Sequence, residues 1–183
     1  MIGDKQQGVT LIEILLAVTL FSIVIIGAVG LFISLIKNQQ VLLDRAYVLN
    51  TLSYTTEYMS KAIRMAQKDI TGTCLNSMEN FILVAGDSSH IKFKNYNGEC
   101  QEFFLQLQDG ILTLMVARNG VPQALTPANI TVESLTFVLA GENQSDALQP
   151  KVSFSIKAKV KNSVAPSFLI QTTISQRMLD ITY

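Results

Sequence analysis

The chain is 183 residues long, enough for one domain plus a membrane anchor. Its 14 Lys and Arg balance its 14 Asp and Glu, so no overall charge draws it to nucleic acid or to an acidic membrane surface. Nearly half of the residues, 49%, are apolar, and no repeat or low-complexity tract organises them.

The first eight residues, MIGDKQQG, are short, polar and end in Gly8. From Ile14 to Ile36 there is no charged residue, a run longer than the roughly 20 apolar residues that cross a hydrocarbon core. One carboxylate, Glu13, stands at its start, where a charge is costly unless it is paired or reaches the interface. A secretory signal peptide places its charged region first, then a short apolar core, then a small-residue cleavage site. Here the glycine precedes the apolar run and the run is too long, so the apolar segment is expected to stay as an anchor. Orientation is weakly marked, because Lys5 precedes the run while Lys37 and Arg45 follow it.

No proline occurs before Pro122, and before Met65 glycine appears only at positions 3, 8, 27 and 30. Beyond the apolar run, Leu42, Ala46, Leu49, Leu52, Thr56, Met59, Ile63 and Ala66 recur at spacings of three and four. Asp44, Glu57, Lys61, Arg64 and Lys68 lie off that stripe, and Glu57 and Lys61 stand in the favourable i, i+4 order. The pattern predicts one helix from Val9 to about Lys68, with an anchor half over 9–36 and an amphipathic packing half over 37–68.

Residues 69–80 read as a loop broken at Thr71-Gly72-Thr73. Strand signals follow over 69–183. Phe81 to Ala85 is a short apolar run; Ile91 and Phe93 alternate with lysines; Phe103, Leu105 and Leu107 alternate with their neighbours. Asp109-Gly110 is a two-residue hairpin signal returning through Ile111–Arg118, and Asn119-Gly120 marks another turn. Thr131–Leu139 reads as a strand, 141–150 as a polar loop, and Lys151–Lys161 alternates strictly. A turn over 162–166 leads into Phe168–Gln176. Such alternation means antiparallel strands with one face buried, and the helix stripe can cover that face. The predicted class is α+β, a long N-terminal helix packed on an antiparallel sheet.

The leader, Val9-Thr10-Leu11-Ile12-Glu13 and the apolar run together resemble the N-terminus of type IV prepilins and pseudopilins. The resemblance implies cleavage between Gly8 and Val9 by a prepilin peptidase, N-methylation of Val9, and an assembly role for Glu13, the fifth mature residue. Val9 departs from the phenylalanine usual at the first mature position. Also implied are a pilin-like fold and a cytoplasmic leader. The C-terminal domain would lie outside the cytoplasm, and the helix would pass from the inner-membrane bilayer into a filament. Partners would be other pilin subunits, the peptidase/methyltransferase and an inner-membrane assembly platform. The polar early strands and SFLIQTTISQR (167–177) are loosely similar to minor pseudopilins of the J type. Many major pilins carry proline where Gly30 stands; glycine there permits a weaker loosening of the helix or close helix packing in the membrane. In an exported domain, Cys74 and Cys100 can form a disulfide.

Asp87, Ser89 and His90 superficially suggest hydrolase chemistry, but a catalytic triad converges from distant positions, and His90 is the only histidine. No catalytic group, metal ligand set or cofactor site stands out, so no enzyme is expected. Lys151, Lys157, Lys159 and Lys161 line the wet face of one strand. That stripe offers a nucleic-acid surface, yet neutral net charge and the absence of aromatic interleaving favour edge protection by lysine. Asn129-Ile130-Thr131 and Asn143-Gln144-Ser145 match the glycosylation sequon and carry no weight in a prokaryotic family. The expected function is a structural subunit of a type IV pilus, type II secretion pseudopilus or DNA-uptake pilus. The alternative is a membrane-tethered binding or sensor domain outside the cytoplasm with an uncleaved anchor.

Overall fold

A computed structural model describes residues 8–141 and 148–177. Residues 1–7 of the leader, most of the 141–150 loop and the sequon at Asn143 lie outside the described residues. The chain divides into two compact units, Met1–Leu42 and Leu43–Tyr183. One helix, α1 (Leu11–Arg64), runs from the first into the second. It ends before the expected Lys68 because the backbone turns to a sheet partner: Met65 and Ala66 still donate to Lys61 and Ile63, but the Gln67 N–H donates to the Lys94 carbonyl at 2.9 Å.

In the second unit the buried face of α1 is Val48, Leu52, Thr55, Met59 and Ile63, continued by Ala66 beyond the helix end. The expected stripe holds from Leu52 onward, except that Thr55 rather than Thr56 faces inward. One turn earlier it shifts: Val48 is buried while Ala46 and Leu49 are exposed. Both 48 and 49 satisfy helical spacing from Leu52, and periodicity alone does not choose between two apolar neighbours.

The strands are β1 (Phe81–Leu83), β2 (Ile91–Lys94), β3 (Cys100–Gln108), β4 (Ile111–Arg118), β5 (Val121–Ala124), β6 (Ile130–Ala140), β7 (Lys151–Val160) and β8 (Phe168–Ser175). All pairings are antiparallel, but they build two sheets, β1-β2-β3-β4-β5 and β6-β7-β8, rather than one. The break follows β5. The Leu114 carbonyl accepts from Leu125 N–H and the Leu114 N–H donates to Thr126 Oγ1, so Thr126 replaces a ladder partner just before Pro127. Sequence alternation had not marked β5, which is exposed throughout and contains Pro122. Proline is tolerated there because β5 is an edge strand. The two hairpin turns form as their residues require, with positive φ at Asp109 and Gly110 and at Asn119 and Gly120.

One apolar core joins the α1 stripe to Phe81, Phe93, Phe103 and Leu114 of the first sheet and to Ile130, Phe137, Phe154 and Ile156 of the second. Phe93 packs on Phe81 and Phe103 with ring centroids 5.9 and 5.7 Å apart, and Phe137 on Phe154 at 5.9 Å.

The connection from α1 to β1 is held by Asp69, which is completely buried. Its carboxylate accepts from the Cys74 N–H at 2.6 Å, the Leu75 N–H at 2.8 Å, Thr71 and Thr73 Oγ1, and Lys94 Nζ at 3.2 Å. Burial pushes its pKa up, but the Leu75 and Cys74 N–H groups, Lys94 and Thr73 outweigh it, and the carboxyl is held well below its usual range. A disulfide joins Cys74 of this loop to Cys100 at the start of β3, with Cα atoms 5.4 Å apart, within ordinary disulfide reach.

Two predictions follow from this loop. Closing a segment with sequence separation 26 stabilises by about 3.5 kcal/mol in the chain-entropy model, so reduction of the full chain in detergent is expected to lower Tm by roughly 10 °C; an unchanged melt would contradict it. Asp69→Asn removes the charge facing Lys94 and is expected to cost on the order of 3 kcal/mol near neutral pH. Because the folded pKa is depressed, that contribution is present above the unfolded value of 3.8 and is lost as pH falls below it. The gap between wild type and variant in pH-dependent melts should therefore close in acid.

Candidate functional site

The segment that departs most from an ordinary soluble surface is the start of α1. The Thr10 carbonyl accepts from the N–H groups of Glu13 at 3.1 Å and Ile14 at 3.3 Å, which makes Thr10 the N-cap and Glu13 the third helical residue. Thr10-Leu11-Ile12-Glu13 has the Thr-x-x-Glu form of a capping box, a signal the reading of Glu13 as a membrane charge had passed over. An acidic group in the first turn is also favoured by the helix dipole. Gly8 and Val9 precede the helix and are exposed, and a Cβ built on Gly8 meets nothing within 4 Å. The helix therefore begins at Leu11 rather than at the expected Val9, which lies ahead of it.

From Leu11 to Ile36 every side chain is exposed, including Phe21, Ile26 at 73% and Leu31 at 70%. The apolar surface runs around the whole helix, which is the pattern of a helix meant for lipid or for other helices rather than for one side of a domain. Two of its hydroxyls are satisfied internally. Thr19 Oγ1 donates to the Leu16 carbonyl at 2.9 Å and Ser22 Oγ to the Val18 carbonyl at 2.8 Å, leaving those groups paired without water. The helix is continuous through Gly27 and Gly30, and a Cβ at either would meet nothing within 4 Å. No contact among the described residues accounts for these two glycines.

Residues 3–29 match the family model of the prokaryotic N-terminal methylation motif. The chain carries a type IV prepilin-like leader. Neither the curated proteins nor the solved structures contain a match. The prepilin-like leader runs directly into a helix long and apolar enough to cross a membrane, which fits a membrane-anchored protein. The long helix on antiparallel sheets fits the pilin-like layout.

The other candidate residues are engaged locally. The Ser89 N–H and Oγ both donate to the Asp87 carboxylate, at 2.8 and 2.9 Å, while His90 Nε2 pairs with Glu102 at 2.9 Å. Asp87 thus closes a turn on Ser89 and His90 turns toward a different strand. The lysine stripe of β7 is partly neutralised by a residue that sequence alternation could not place. Glu133 is the extra residue of a β-bulge between Val132 and Ser134, and it reaches both Lys159 at 2.9 Å and Lys157 at 3.1 Å. These two lysines push its pKa down to about 2.

Because the lysines are more than a third exposed, solvent screening holds the worth of this triad to about 0.5 kcal/mol. Glu133→Gln is expected to lower Tm by only about 2 °C. The effect should be present above the unfolded value of 4.5 and fade as pH falls toward about 2. The same variant unmasks Lys157 and Lys159, so retention on an anionic column should rise; unchanged retention would show that the triad does not mask this face.

Proposed function

We propose that this chain is a structural subunit of a type IV filament machine: a pilus, a secretion pseudopilus or a DNA-uptake pilus. Residues 1–8 are a leader removed by a prepilin peptidase, Val9 becomes the methylated N-terminus, 9–36 is the membrane and filament-core segment, 37–68 packs on the domain, and 69–183 forms the exported sheet domain. The reading rests on one observation, a prepilin-like leader continuous with a helix whose apolar side chains are exposed on every side. Such a surface is stable only in lipid or against other helices. Transfer from the inner membrane to a bundle of like subunits, on an assembly platform, exchanges one cover for the other. The loose likeness of 167–177 to J-type pseudopilins favours a minor subunit that primes, caps or decorates the filament.

Glu13 supplies the directing interaction in this reading. Cleavage leaves a positive amine at Val9, and N-methylation leaves it positive. Val9 lies ahead of the helix, so the amine is free to reach the carboxylate of an offset neighbour, where a low-dielectric setting strengthens the attraction.

Gly8→Val is expected to accumulate full-length precursor, measured by intact mass of the membrane fraction; a mature N-terminus at Val9 in that variant would sink the cleavage site. Glu13→Ala is expected to insert and be cleaved but to be absent from sheared filaments, with Glu13→Asp intermediate. Glu13→Gln separates charge pairing from capping, since glutamine keeps the Thr-x-x-Gln cap but not the charge. Incorporation of Glu13→Gln at the wild-type level would assign Glu13 to the cap alone.

A further inference from the structure

A cavity of about 160 Å³ lies between the last turns of α1 and the ends of β3 and β4. Gln101 and Arg118 are directly paired across β3 and β4. They form the last row of the face that carries Phe103 and Val116 into the core. Tyr58 of α1 packs edge-on against Phe103 at 6.1 Å and accepts a hydrogen bond from Arg118 Nη2 at 2.6 Å. Its own hydroxyl proton is thereby left to donate elsewhere. Lys61 also lines the cavity and makes no ion pair among the described residues.

Gln101 decides what this cavity accepts. It is only 3% exposed, and its Nε2 has no hydrogen-bond partner among the described residues. The orientation of its amide is set by a chain of bonds. Asn95 Oδ1 accepts from the Asn97 and Glu99 N–H groups, both at 3.0 Å, so Asn95 Nδ2 must be the donor that reaches Gln101 Oε1 at 3.3 Å. The Gln101 oxygen is therefore occupied, and the group left over is an NH₂ donor. A buried donor without an acceptor is costly. Glu99, the carboxylate in the neighbourhood, is held by Asn95 Nδ2 at 3.1 Å and does not line the cavity. The cavity thus offers Gln101 NH₂, the Tyr58 proton and two cationic side chains, with no carboxylate in its wall.

We propose that this cavity is a carboxylate-binding site, in which Gln101 Nε2, Arg118 and Lys61 donate to the two oxygens while Tyr58 and Met65 enclose the adjoining carbons. The volume suits a small free carboxylate or the acidic side chain of another protein chain, and the chemistry of recognition is the same for both. Charge-assisted bonds to two cations favour the anion over a neutral amide of the same shape.

The test is titration of the full-length ¹⁵N-labelled protein in detergent micelles, following the side-chain NH₂ signals of Gln101. The probes are succinate and a blocked Ala-Glu-Ala peptide, against succinamide and blocked Ala-Gln-Ala. Saturable shifts with either carboxylate, at least about tenfold weaker with its amide counterpart, are expected. A tighter fit of succinate would point to a free metabolite, and of the peptide to a protein partner. Lys61→Met, an exposed substitution that leaves the core intact, should weaken binding about tenfold, and Gln101→Met, followed through the ¹⁵N backbone amide of Tyr58, should abolish the saturable shift that carboxylate causes there. Absence of any saturable shift with both carboxylates, equal response to the amides, or unchanged affinity in Lys61→Met would overturn the assignment.

Discussion

The sheet domain depends on one stripe of side chains. Val48, Leu52, Met59, Ile63 and Ala66 belong to the same buried cluster as residues from both sheets. Each large apolar side chain buried there contributes about 1.5–3 kcal/mol relative to exposure. Neither the five-stranded nor the three-stranded sheet has another helix to cover its core-facing residues among the described residues, so the stripe is the common cover for both. A polar substitution at Leu52 or Met59 would remove that cover from two sheets at once.

Around that core, two carboxylates do different kinds of work. Asp69 is fully buried and gathers two backbone N–H groups, two hydroxyls and an ammonium; its bonds fix the path from helix to sheet, and the Cys74–Cys100 bridge ties the same loop to β3. Glu133 sits at the surface, where water competes with its two lysines. Its consequence is less for stability than for the potential of the β7 face, since two of the four lysines of that stripe share one counter-charge.

The start of α1 combines two demands in a few residues. Thr10 and Glu13 stand in the Thr-x-x-Glu pattern that suits a helix N-terminus, while the residues that follow expose apolar surface on all sides. A cap at this position tolerates an uncharged amide in place of Glu13, whereas the ion pair proposed above requires its charge.

Much of this was readable before any coordinates. The leader, the anchor and the helix up to its last turns follow from local composition and from a period of three to four residues, and the hairpins follow from Asp109-Gly110 and Asn119-Gly120, whose positive φ values few other residues accept. The alternation of β7 is likewise a local property. Tertiary structure decided the rest. Whether Val48 or Leu49 turns inward depends on what lies opposite. Strand β5 exists because β4 offers it an edge despite Pro122. The division into two sheets rests on Thr126 taking the place of a backbone partner. Glu133 meets Lys157 and Lys159 only through a bulge, and Gln101 meets Arg118, Tyr58 and Lys61 only because a strand pair ends beneath the helix. Each of these depends on groups far apart in the chain competing for the same hydrogen bond or the same buried volume, and local pattern carries no record of that competition.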